Sequence, residues 1–81
     1  MNEQAFAITI TQKAREVFSQ PSLEFSPSQV FREIPGFDSV LAIKYILEIE
    51  KAFGITLNEE EVDNMHTMGD LMRMLLSQKG P

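Results

Sequence analysis

Apolar residues recur every three or four positions over three long stretches of this chain, and the segments between them are broken by Pro, Gly and Ser. Such spacing predicts helices, because it gathers the apolar side chains on one face. The first helix runs from a cap at Asn2 to about Ser19, with Phe6, Ile10, Ala14 and Val17 as its buried stripe and Phe18 at the edge. Ile8 to Thr11 also alternates like a short strand, but the stripe outlasts the alternation and decides for helix. Lys13, Arg15 and Glu16 are assigned to its solvated face.

A long connection follows over residues 20–37, interrupted by Pro21, Pro27 and Pro35 and anchored by Leu23, Phe25, Val30, Phe31 and Ile34. Ser26-Pro27-Ser28-Gln29 has a cap, a proline and a Gln at the positions that favour a single helical turn. Asp38 caps the central helix, Ser39 to Phe53. At about 100° per residue, Ala42, Ile46, Ile49 and Phe53 face inward, while Val40, Lys44, Leu47 and Lys51 lie opposite with Glu48 beside them. Gly54 ends that helix in a left-handed cap, and Ile55 and Leu57 turn inward. Asn58 with Glu61 opens a short third helix to about Asn64. Thr67 with Asp70 opens the last helix, which bears Leu71, Met72, Met74, Leu75 and Leu76 and frays at Gly80-Pro81. The predicted core is Phe6, Ile10, Val17, Ala42, Ile46, Ile49, Phe53, Leu71 and Leu75. The fold class expected is all-α, a four-helix bundle with a short third helix and a long first loop.

Composition narrows the function. At 81 residues the chain reads as one domain, residues 1–81, of modest stability. It has no cysteine, so disulfides and thiolate metal sites are excluded and a cytoplasmic location is expected. A membrane-spanning apolar run and a cleavable leader are both missing from the pattern. The net charge of −5 argues against nucleic acid as a partner, which needs clustered cations. A monomer is expected.

Candidate chemistry is concentrated at Ser39. In the first turn of the central helix its hydroxyl sits at the positive end of the helix dipole, where unpaired N–H groups would hold a phosphate attached to it. Glu59, Glu60 and Glu61 lack the alternation of a calcium loop and read as helix-start acids. His66 has no nucleophile motif around it and reads as a solvated turn residue. Catalytic residues and metal ligands are therefore assigned to none.

Asp38-Ser39-Val40, followed by Ala42-Ile43, Leu47 to Glu50 and the turn Ala52-Phe53-Gly54-Ile55-Thr56-Leu57, resembles the acyl and peptidyl carrier family, whose motif is Asp-Ser-Leu. The resemblance covers about the whole chain and is specific from Gly36 to Leu57. It implies an acyl-carrier-like bundle that is not an enzyme. It implies too that Ser39 receives 4'-phosphopantetheine from coenzyme A through a phosphopantetheinyl transferase. The arm's thiol would carry acyl or aminoacyl groups as thioesters between loading and transferring enzymes, with Asp38 presenting Ser39 and Gly36 letting the chain approach the incoming enzyme. A specialised fatty-acid or polyketide-type pathway is expected. The alternatives are an aminoacyl or peptidyl carrier of a nonribosomal-type pathway, or an unmodified helical interaction module. Fatty-acid carriers usually have an acidic second helix. This chain instead presents Val40, Leu41, Lys44, Leu47 and Lys51, with Glu48 as the one carboxylate, so a dedicated partner with acidic or apolar residues opposite is expected.

Overall fold

The computed structural model describes residues 2–79. Among them the helices are α1 (Glu3–Val17), α2 (Ser39–Phe53), α3 (Glu59–Asp63) and α4 (Met68–Lys79), with one 3-10 turn at Phe31–Glu33. This is the expected all-α arrangement with a short third helix and a long first loop. The end of the last helix at Gly80-Pro81 lies outside the described residues.

Helix boundaries follow the capping chemistry. Asn2 Oδ1 accepts the Ala5 N–H at 2.9 Å and starts α1. That helix stops at Val17, two residues before the predicted end, because Ser19 takes a left-handed φ of 56° and turns the chain. Asn58 and Glu61 form a reciprocal capping box at α3. Asp70 accepts the His66 and Thr67 N–H groups at α4, while the Thr67 hydroxyl accepts the Asp70 N–H.

Helix α1 packs against both α2 and α4, with Phe6, Ile10, Ala14 and Val17 buried as the stripe required. The Phe6 and Phe53 rings meet edge to face at 5.2 Å across α1 and α2. From α4 come Leu71 and Leu75, together with Met68, which the sequence pattern did not mark. Lys13 and Arg15 are not simply solvated: both are half-buried. Lys13 reaches Glu48 on α2 at 3.6 Å, and the Arg15 guanidinium donates to the Leu23 carbonyl and pins the loop.

The predicted inward set of α2 needs correction. Ile49 and Phe53 are buried, but Ala42 and Ile46 are only half-buried. Tyr45 lies deeper, 2 % exposed, with its hydroxyl donating to the Ile10 carbonyl at 2.9 Å. Its ring lies 5.6 Å from Phe18 and 5.4 Å from Phe31. A large ring with a partner for its one polar atom takes the space against α1, and Ala42 and Ile46 line a cleft beside it.

The long loop is held through its backbone. Gln29 donates its N–H to the Ser26 carbonyl, a single turn as expected, but no helix forms there and the 3-10 turn comes later, at Phe31. Pro27 and Gln29 offer their carbonyls to the Gly69 and Met68 N–H groups, and Phe31 donates to the His66 carbonyl. The loop thus satisfies donors at the start of α4 that no helical carbonyl can reach. Gly69 makes this approach possible, since a Cβ there would stand 2.8 Å from the Pro27 oxygen.

Candidate functional site

The loop delivers the chain to α2 in a fixed direction. Gly36 has a φ of +87°, and a Cβ on it would lie 2.9 Å from the Phe18 carbonyl oxygen. Its close approach within the chain is therefore to the end of α1. Phe37 stacks on Phe18 at 5.7 Å, one residue before the cap. Asp38 is extended, and its Oδ1 accepts the Leu41 N–H at 2.8 Å, which defines Ser39 as the first helical residue.

Ser39 is exposed. The N–H groups of Ser39 and Val40 have no acceptor among the described residues, because the cap takes only that of Leu41. No acidic residue stands in the first turn of α2. An exposed hydroxyl, two open N–H donors and the positive helix end fit a phosphodiester at this position. The Asp38 carboxylate is occupied by the cap, and no other side chain hydrogen-bonds Ser39 among the described residues.

Beside this helix start lies a cleft of about 220 Å³, lined by apolar residues that include Phe18, Phe31, Phe37, Tyr45 and Ile46, and also by Arg32, Asp63 and His66. Phe37 and Ala42 bracket Ser39 in the chain. Burial pushes the Tyr45 phenol up, so it remains a protonated donor to Ile10 at the back of this cleft. The His66 side chain is at the exposed rim, and its backbone is used in capping α4.

The six residues assigned to a partner face divide. Val40 and Leu47 are 75 % and 53 % exposed, and Lys44 and Lys51 are exposed as expected. Leu41 is half-buried and packs against the core, and Glu48 is half-buried between Lys13 and Lys51, so neither belongs to a free face. Ile43, 62 % exposed, was missed. Its position three residues after Val40 and four before Leu47 was the signal that could have found it. Glu50 accepts the Leu57 N–H at 2.8 Å. Every residue of α2 that stands exposed is therefore apolar, cationic or Ser39.

No group of three or more His, Cys, Asp or Glu able to hold a metal occurs among the described residues, where Glu61 is used in its capping box and by Gln78. No helix among them is long and apolar enough to cross a membrane.

Residues 8–75 match a protein-family model described as the phosphopantetheine attachment site. The acyl carrier protein of Exiguobacterium sibiricum is 20% identical over 78 residues, which cover 96% of this chain and 99% of the relative. That of Acidothermus cellulolyticus is 29% identical over 55 residues, 68% of this chain and 66% of the relative. With the first of these the similarity runs over nearly the whole length of both chains while most side chains differ.

Proposed function

Because the chain belongs to the phosphopantetheine attachment-site family, we propose that Ser39 is the residue to which its arm is joined, and that Asp38 presents it by capping α2. The group is 4'-phosphopantetheine, covalently attached, and its thiol holds acyl groups as thioesters. This supplies a reactive sulfur to a chain without cysteine. The observation that carries the assignment is an exposed hydroxyl at an uncrowded helix start with two open N–H donors. Family membership supports a carrier that leaves catalysis to others, its arm being attached by a phosphopantetheinyl transferase.

The aromatic cleft beside the helix start would shelter the first carbons of a carried chain. Its volume is below the ~300 Å³ at which pockets begin to enclose a drug-sized ligand. A short acyl group fits this reading better than a long one. The chain acts as a single-domain cytoplasmic monomer that exchanges its cargo with acyl-handling enzymes of a specialised fatty-acid or polyketide-type pathway. The α2 face without an exposed carboxylate supports that specialisation.

The test is a loading panel. The phosphopantetheinylated chain is offered to acyl-activating and aminoacyl-activating enzymes, and the thioester is read by mass. Loading by short-chain acyl enzymes is expected. Loading by aminoacyl enzymes alone would transfer the assignment to a peptidyl carrier, and a chain that never takes the arm would be an unmodified interaction module.

A further inference from the structure

We infer that Phe37 is a positioning residue for the modification of Ser39: stacked on Phe18, it holds the first turn of α2 where that hydroxyl can react. The inference rests on the reading of Ser39 as the attachment residue and names the side chain that supports it. Helix α2 enters the core late. Its first buried residue is Tyr45, and Asp38, Ser39 and Val40 are all exposed. The bond from the Leu41 N–H to Asp38 is local; it starts the helix but ties it to nothing outside α2. Helix ends held only by such bonds fray. Leu41 within the first turn and Phe37 just before it are the side chains that pack this end against the core.

Phe37 is held from two sides. Its ring lies 5.7 Å from that of Phe18, which is 2 % exposed at the end of α1. Its N–H donates to the carbonyl of the buried Ile34 at 3.0 Å. Gly36, in a left-handed φ, passes against the Phe18 carbonyl oxygen. Phe18 thus receives the backbone of one residue and the ring of the next, so the chain reaches Asp38 from one direction. Joining the arm forms a bond from the Ser39 oxygen to the phosphorus that bears pantetheine. It breaks the pyrophosphate bond of coenzyme A, expels adenosine 3',5'-bisphosphate and releases the hydroxyl proton. Such a transfer depends on the attacking oxygen standing in line with the leaving group, and a misplacement of about 1 Å costs roughly 100-fold. Loss of the Phe37 ring leaves Ser39 and the exposed face of α2 chemically unchanged but frees the first turn to shift. The turnover step therefore suffers more than the encounter.

Wild type, Phe37→Ala, Phe37→Leu, Phe37→Tyr and Gly36→Ala are offered to a phosphopantetheinyl transferase with coenzyme A, at a temperature where circular dichroism shows them folded. Coenzyme A brings a free thiol and no acyl cargo, so the wall that Phe37 gives the cleft is not what the assay reads. Phe37→Ala is expected to lower kcat about 10- to 100-fold with KM nearly unchanged. Phe37→Tyr, which keeps the ring at a half-buried position, should restore kcat, and Gly36→Ala, which displaces the same junction, should lower it. Leu75→Val in α4 is the control for lost stability and should leave kcat as it is. If Phe37→Ala does not fold, Phe37→Leu decides, since it keeps bulk without the stack. Amide hydrogen exchange is read on the unmodified proteins. The Ala42 N–H, bonded to the Asp38 carbonyl at 2.9 Å, should exchange about tenfold faster without the ring, while α4 amides keep their protection. An unchanged kcat, a loss that Phe37→Tyr does not restore, an equal loss in Leu75→Val, or unchanged exchange at Ala42 would overturn the inference. A wild type that never takes the arm loses the Ser39 reading and this inference with it. A wild type modified at Ser39 as fast as Phe37→Ala loses this inference alone.

Discussion

Tyr45 ties the bundle to its cleft, and its two contributions can be separated by substitution. Tyr45→Phe keeps the ring between Phe18 and Phe31 and removes only the 2.9 Å hydrogen bond to the Ile10 carbonyl. Ile10 lies inside α1, so its oxygen retains a helical N–H and is not stranded. The expected loss is therefore that of one net hydrogen bond, about 1 kcal/mol. In a domain of this size it lowers Tm by roughly 4–8 °C. Tyr45→Ala removes the ring as well and leaves a cavity, at a cost of about 3–5 kcal/mol. Against a total of about 4–12 kcal/mol for 81 residues, that is enough to unfold a substantial fraction of the chain. Urea unfolding followed by circular dichroism measures both, with an unchanged slope required for the comparison. The reasoning is refuted if Tyr45→Phe matches the wild type within about 0.3 kcal/mol, or if Tyr45→Ala costs less than about 1 kcal/mol.

Gly69→Ala is expected to destabilise by about 1–3 kcal/mol in the same urea assay, because the new Cβ meets the Pro27 oxygen at 2.8 Å. The higher helix propensity of Ala predicts a gain if the loop can move aside. Desolvation raises the Asp70 pKa, but the Thr67 and His66 N–H groups, the Thr67 hydroxyl and Arg73 together outweigh it and hold the carboxyl below 3.8. Its contribution to stability is therefore present above 3.8 and lost as pH falls through the lower folded value. Urea midpoints in the acid range should fall more steeply for the wild type than for Asp70→Asn, and parallel curves would contradict this. Phe53→Ala should cost about 3–5 kcal/mol and Ile46→Ala distinctly less, since only Phe53 is buried; equal losses would place Ile46 back in the core.

Where capping decides the structure, it could be read directly from residue types. Asp38, Gly54, the Asn58–Glu61 box and the Thr67–Asp70 pair each act within three or four residues, and α2 and α3 begin as expected. The candidate serine was legible for the same reason, as the residue immediately after a cap. What failed depends on contacts between distant parts of the chain. Tyr45 lies at the margin of the α2 stripe by angle, and only the Ile10 carbonyl 35 residues away makes its hydroxyl welcome inside. Arg15 and Lys13 have a polar pattern, yet the loop and α2 fold over them. The 3-10 turn was missed because Phe31 is positioned by His66, in another part of the chain. Ile43 differs from these: its spacing from Val40 and Leu47 already places it on the exposed side of α2.

Intact-mass measurement on the purified chain tests the central claim most directly. Wild-type protein and Ser39→Ala are incubated with coenzyme A and a promiscuous phosphopantetheinyl transferase, after circular dichroism has shown both to be folded. Wild type should gain the mass of one phosphopantetheine, on the peptide containing Asp38-Ser39-Val40, and Ser39→Ala should gain none. A modified Ser39→Ala variant, or a wild type that remains unmodified while a control carrier is converted, would contradict the account.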